Sequence, residues 1–317
     1  MNVPTIDDVR AAREHVYAAM QPSALLRHPL LCERLGADVW VKHENHNPTA
    51  AFKVRGGLNL IAQLPPADRA RGVISATTGN HGQSIAFAAG RAGVPCTLVV
   101  PVGNNPEKNA MMRALGAEVI EHGRDFDEAR ELVERICEQR GLRYVHSANE
   151  PDLIAGVGTY ALEIFEALPD VHTVFVAVGG GSGACGLITA RDALGLSARI
   201  VAVGAQRADT VARSWRSGVR EVGDSADTFA EGIATRVTFD LTFRILQRGL
   251  NDFVSLSEDE LADGVRLALG LTHNLAEGAG AASLAAAVKC AKTIAGKRVV
   301  CVMSGGNLDR ARLRAIV

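Results

Sequence analysis

Gly72-Val73-Ile74-Ser75-Ala76, then Thr77-Thr78-Gly79-Asn80-His81-Gly82-Gln83, then Ser84-Ile85-Ala86-Phe87-Ala88-Ala89: read in order, this stretch is a short apolar run, a polar loop and a small-residue helical pattern. The rhythm repeats. Cys96-Thr97-Leu98-Val99-Val100 predicts a second strand, and Pro106 opens a helix over Glu107 to Leu115 that stops at Gly116. Glu118-Val119-Ile120 predicts a third strand, Phe126 to Arg140 a charged helix closed by Gly141, and Arg143-Tyr144-Val145-His146 a fourth strand. Strands alternating with helices predict a parallel sheet covered on both faces.

A second α/β region begins at Thr173-Val174-Phe175-Val176-Ala177-Val178. It runs through a glycine-rich loop, a helix near Leu187–Leu194 and the strand Ile200-Val201-Ala202-Val203. Ser257 and Glu260 form a capping box before a helix over Leu261–Leu271, and Lys297-Arg298-Val299-Val300-Cys301-Val302 predicts the last strand. Two α/β lobes with a cleft between them follow, with ligands expected beyond the carboxyl ends of the strands. A length of 317 residues, at about 150 per domain, agrees with that division.

Composition excludes several classes. With 34 Lys and Arg against 35 Asp and Glu the net charge is −1, so no basic excess predicts nucleic-acid binding. No apolar run reaches the roughly 18 residues of a membrane span, and the start Met1-Asn2-Val3-Pro4 is not that of a secretory leader. The six cysteines (Cys32, Cys96, Cys137, Cys185, Cys290, Cys301) form no C-x-x-C pair and read as reduced thiols of a cytoplasmic protein.

Four loops carry candidate chemistry. The first runs from Lys42 and Glu44 through Asn47-Pro48-Thr49-Ala50-Ala51-Phe52-Lys53-Val54-Arg55-Gly56-Gly57. Pro48 favours an extended Asn47, Thr49 is the expected N-cap, and Lys53 falls in the first helical turn. Gly56 and Gly57 share the Lys53 face, and a flat ligand lying close to the backbone would explain the pair. The second loop, Thr77–Gln83, offers N–H groups at a helix start, suited to a carboxylate or phosphate. The third, Gly179-Gly180-Gly181-Ser182-Gly183-Ala184-Cys185-Gly186, lets successive N–H groups converge on an anion. Gly181 to Gly186 also satisfies G-x-G-x-x-G, but the next strand ends at Gln206 without the acidic residue a dinucleotide ribose needs. The fourth is Ser304-Gly305-Gly306-Asn307, whose hydroxyl reaches the same cleft if its strand joins the large sheet. Singly these loops are unremarkable. Together, a lysine beside a phosphate cup suggests pyridoxal 5′-phosphate held through its aldehyde.

In these motifs the chain resembles the fold-type II pyridoxal-phosphate enzymes (tryptophan synthase β-like), within them the serine/threonine dehydratase and serine racemase family. The resemblance implies a large cofactor-binding domain of residues 1–50 and 148–317, and a small domain of 51–147. By its terms Lys53 is the Schiff-base lysine and later the base at Cα. Asn80 bonds the ring hydroxyl, Gly179, Gly180, Gly181, Ser182 and Gly183 cup the phosphate, and Ser304 partners the pyridine nitrogen. The main chain around Thr77, Thr78, Gly79, Asn80 and His81 grips the substrate carboxylate.

The implied activity is β-elimination of water from a 3-hydroxy amino acid to a 2-oxo acid and ammonia, with the cofactor phosphate helping hydroxide leave. A homodimer is also implied. Thr78 stands where racemases place a serine as second base, and its extra methyl disfavours racemisation. Gln206 stands where the family's metal site has a carboxylate, which predicts no dedicated metal. Ser147-Ala148-Asn149 and Val157 depart from the family pattern near the cleft, so a bulkier substrate such as 3-phenylserine or a hydroxyectoine-derived acid stands beside threonine and serine. The short stretch after Ser304 predicts no regulatory domain and no feedback by isoleucine. Serine racemase is the nearest alternative activity. A β-replacement enzyme, a nicotinamide-dependent dehydrogenase and a non-catalytic ligand sensor are more distant ones.

Overall fold

A computed structural model describes residues 2–317. Ten strands form two sheets: β1 Leu25–Arg27, β2 Asp38–His43, β3 Val73–Ala76, β4 Cys96–Val100, β5 Glu118–Glu121, β6 Arg143–Tyr144, β7 Thr173–Ala177, β8 Arg199–Ala205, β9 Asp252–Leu256 and β10 Arg298–Met303. The larger sheet has the order β1-β2-β10-β7-β8-β9, parallel apart from β1 at its edge; the smaller has the order β5-β4-β3-β6 and is wholly parallel. The α/β class with parallel sheets flanked by helices is therefore as the sequence predicts. All four strands read between residues 72 and 147 fall in the smaller sheet.

The helix read as Phe126 to Arg140 has those bounds, and the Ser257–Glu260 capping box is formed. Three strands of the larger sheet, β1, β2 and β9, and the buried helices Pro151–Ala167 and Gly278–Lys289 were not read from the sequence. Lys42, which the sequence pattern places in a loop, lies in β2, with Glu44 in the 3-10 turn that follows. No helix among the described residues is long and apolar enough to cross a membrane.

One hydrophobic core lies between the two sheets, a second covers the far face of the larger sheet beneath helices Glu258–Thr272 and Gly278–Lys289, and a third sits under Phe126–Arg140. The helix Lys53–Ala62 is wedged between Asn80–Ala92 and Pro151–Ala167. That wedge corrects the reading of its glycine pair. A Cβ on Gly56 would lie 2.7 Å from the backbone oxygen of Leu153, and one on Gly57 would lie 2.3 Å from Ser84 Oγ and 2.8 Å from the Ser84 carbonyl. The pair is there to let helices approach, not to admit a flat ligand.

The expected N-cap is corrected too. The helix starts from Phe52, and the buried Thr49 hydroxyl has no partner.

Replacing Gly57 with Ala should thus reverse the usual helix-propensity benefit of about 1 kcal/mol. Overpacking against the Ser84 backbone, at about 1–3 kcal/mol, opposes that benefit and should prevail. Urea unfolding monitored by circular dichroism should show a lower midpoint for Gly57→Ala than for the parent. An equal or higher midpoint would contradict this packing account.

Candidate active site

The Lys53 turn is held in place from three directions. Arg55, fully buried, donates to both oxygens of Glu44 (2.7 and 2.9 Å), both of Glu163 (2.6 and 3.0 Å), and Thr159 Oγ1 (3.0 Å). Lys42 completes a four-charge cluster by pairing with Glu163. Two cations and two carboxylates balance, and every guanidinium nitrogen is used, so the cost of burying these charges is offset by geometry.

A short bridge joins the turn to the loop after β10. Phe52 N–H donates to the Ser304 carbonyl (3.0 Å), and Gly306 N–H donates to the Ala50 carbonyl (2.8 Å). Ala50 sits at φ 52°, a left-handed conformation that L-residues avoid, and these bonds hold it there. From the other side, Ser84 Oγ donates to the Lys53 carbonyl (2.6 Å).

Lys53 and Ser304 consequently face one cleft of about 960 Å³ including its open mouth. Every residue to which the resemblance assigns a site role lines it: Lys53, Thr77, Thr78, Gly79, Asn80, His81, the loop Gly179–Gly183, and Ser304. The cleft lies at the carboxyl ends of β3, β7 and β10, as the α/β rule anticipates.

Lys53 Nζ donates to Ser182 Oγ and to the Ser147 carbonyl, each at 3.2 Å, so the amine stands beside the glycine loop. No carboxylate pairs with it among the described residues. Burial without a counter-charge pushes the amine down to about 8. That leaves a useful fraction uncharged near neutrality, which attack on a carbonyl requires.

Two loops supply free N–H groups. From Gly179 to Ala184 six successive N–H groups have no partner among the described residues, at the start of the helix Ser182–Ala193. Gly181, at φ 94°, makes the bend that gathers them. At the start of Asn80–Ala92, the N–H groups of Thr78, Asn80 and His81 are likewise open. Thr77 is not among them. Its N–H donates to Val99, and its hydroxyl oxygen accepts from Gly79 (3.0 Å) and Gly82 (2.9 Å), so Thr77 shapes the turn. Each loop thus offers open N–H groups at the positive end of a helix dipole, an arrangement suited to an anion.

Two histidines flank the amine in neutral form. Burial pushes His81 down to about 3 and His146 down to about 4, with the Lys53 charge acting in the same direction. His146 Nδ1 accepts from the N–H groups of Ala148 and Asn149 and so fixes the turn whose Ser147 carbonyl holds Lys53.

Of Ser147, Ala148, Asn149 and Val157, only Ser147 lines the cleft. Ala148 packs against Gly180, Asn149 Oδ1 accepts from Leu241 N–H, and Val157 is buried in the core, which removes it as a direct influence on substrate. Lys108, Phe126, Glu231, Thr235, Phe239 and Glu277 also line the cleft and were not identified from the sequence.

Comparison with known proteins agrees with this geometry. A family model described as "Pyridoxal-phosphate dependent enzyme" matches residues 16–305. L-threonine ammonia-lyase of Thermotoga maritima is 38% identical over 96% of this chain and 76% of its own. The structure of the processed form of threonine deaminase isoform 2 from Solanum lycopersicum superposes with a TM-score of 0.93 at 30% identity, covering 98% of this chain and 91% of the other. Maize serine racemase superposes at 0.94 with 26% identity, covering 99% and 97%.

An amine with its midpoint near 8 should capture an aldehyde faster as pH rises. In the cofactor-free protein the rate should climb from pH 6.5 and level off above pH 9. A rate that keeps rising beyond pH 10, as for a solvated lysine, would contradict the burial argument.

Proposed function

Because the chain belongs to the pyridoxal-phosphate-dependent enzyme family, we propose that it is a dehydratase that eliminates water from a 3-hydroxy amino acid of the L-threonine and L-serine type. The products are a 2-oxo acid and ammonia. The single observation that carries the reading is an unpaired, buried Lys53 amine 3.2 Å from Ser182 in a loop of six open N–H groups. The names and identities of the threonine ammonia-lyase relatives support the reaction class.

The residues fit the cofactor. Lys53 is the amine for its aldehyde, the N–H groups of Gly179, Gly180, Gly181, Ser182 and Gly183 suit a phosphate, and Asn80 suits the ring hydroxyl. Ser304 Oγ, only loosely bonded to Ala279 at 3.4 Å, suits the ring nitrogen. When bound, pyridoxal phosphate supplies an aldehyde that captures the substrate amine and a conjugated ring that draws electrons from Cα.

The chain's own residues then act as follows. The N–H groups of Thr78, Asn80 and His81 hold the substrate carboxylate, which fixes the orientation of Cα. With cofactor and substrate bound, the freed Lys53 amine would accept the Cα proton, and its depressed pKa suits a base working near neutral pH. The proton taken from Cα by Lys53 and the hydroxide leaving Cβ together make one molecule of water, so the first loss is water. Water added back later releases ammonia and leaves the 2-oxo acid.

A hydroxyl rather than a carboxylate at Ser304 would leave the ring nitrogen largely unprotonated, which would favour elimination over transamination. Residues 1–50 and 148–317 form the large domain in this reading, 51–147 the small one. The enzyme works as a cytoplasmic homodimer.

The test is ammonia release from L-serine, L-threonine, 3-hydroxyaspartate, 3-phenylserine and a hydroxyectoine-derived acid. A clear maximum on L-threonine or L-serine is the expected result, and a maximum on 3-phenylserine or the hydroxyectoine acid would move the substrate to the bulkier class. Inactivity on all five would contradict the dehydratase reading, and D-serine formed faster than pyruvate would replace it with racemisation. Lys53→Ala should lower kcat by about a thousandfold or more, the scale of a lost proton-transfer group.

A further inference from the structure

A chain of polar groups crosses the cleft behind Asn80, and its hydrogen-bond directions can be deduced from one end. Asn307 Nδ2 lies 2.9 Å from the Thr49 carbonyl, which only accepts, so the amide NH2 of Asn307 must face it. The same Nδ2 donates to Asn80 Oδ1 at 2.8 Å. The oxygen of Asn80 is thereby fixed toward Asn307, and its NH2 is turned the other way, where it donates to Glu277 Oε1. One hydrogen of that NH2 is then left without an acceptor among the described residues, on a side chain that lines the cleft.

Glu277 is held in turn. Lys108 Nζ lies 3.5 Å from Glu277 Oε2 and 2.5 Å from Glu231 Oε2, and the Lys108 and Glu277 side chains are each 7% exposed. Gly305 leaves the space this requires, since a Cβ there would lie 2.6 Å from Glu277 Oε1 and 3.3 Å from Asn80 Nδ2. Burial raises the Glu277 carboxyl, while Lys108 and Asn80 favour its charged form.

We infer that Glu277 and Asn307 are positioning residues that lock the Asn80 amide with one N–H presented to the cofactor ring hydroxyl. The inference deepens the reading above and rests on Asn80 being the partner of that hydroxyl. Without Glu277 the amide loses its acceptor and can rotate; without Asn307 it loses the donor that fixes its oxygen. Glu277 thus acts on the cofactor through Asn80, not directly.

The test is a double-mutant cycle read by affinity for pyridoxal phosphate and by the position of its visible absorption band in the bound state, with no substrate present. In Glu277→Gln the one remaining oxygen is drawn to Lys108 and an NH2 is turned on the Asn80 NH2, so cofactor binding should weaken about tenfold, the scale of one misdirected hydrogen bond, and the band should be displaced. In an Asn80→Ala background the same substitution should change affinity less than about twofold and leave the band where Asn80→Ala put it.

Equal effects in both backgrounds would overturn the relay, since Glu277 would then act independently of Asn80. No effect of Asn80→Ala on either readout would overturn the Asn80 assignment and the relay with it. Neither readout depends on turnover, so a failed substrate panel leaves this inference standing. If Glu277→Gln does not fold, Asn307→Asp reads the opposite end: a displaced band in the parent and none in Asn80→Ala support the relay, and equal displacement overturns it.

Discussion

The bidentate grip of Arg55 on Glu44 and Glu163 is the constraint from which the site follows. It joins the turn after β2, the helix Lys53–Ala62 and the helix Pro151–Ala167 in a charge-balanced, buried knot two residues beyond the reactive amine. A buried ion cluster of this kind adds little net stability compared with an apolar core, but it tolerates few alternative geometries. The turn bearing Lys53 is therefore fixed in register, and the bridge to Ser304 sets the distance between the amine and the loop after β10.

From that fixed turn the electrostatics of the cleft are simple. Two helix starts present open N–H groups to the cleft that holds Lys53, and burial keeps both neighbouring histidines neutral. The positive ends suit the phosphate of a cofactor and the carboxylate of an amino acid, and the central amine has no counter-ion among the described residues. The carboxylates that do line the cleft, Glu231 and Glu277, are engaged by Lys108. The amine's depressed pKa thus comes from burial without a counter-charge, while the open N–H groups at the two helix starts give the cleft its positive ends.

Much of this was legible in the sequence, for identifiable reasons. β3 and β4 are short, fully buried parallel strands bounded by loops, so they read as apolar runs. Lys53, Asn80 and the glycine loop follow strands or open helices, where local signals are strong. Other features had no local signal. β1 is a three-residue edge strand, and the helices Pro151–Ala167 and Gly278–Lys289 are buried nearly all round, which erases the helical period. The glycines at 56 and 57 were visible, but their purpose depends on Leu153 and Ser84, which only the tertiary fold brings near. Glu277 left one trace, a lone carboxylate at the head of an otherwise small-residue apolar helix; Lys108, inside a charged helix, left none.

The account stands or falls on Lys53 as the residue that carries the cofactor. The most direct measurement is borohydride reduction of the purified holoenzyme followed by mass spectrometry of its peptides. The account predicts a phosphopyridoxyl group on Lys53 and on no other lysine. Label on a different lysine, or an active enzyme whose Lys53 peptide is unmodified after reduction, would contradict it.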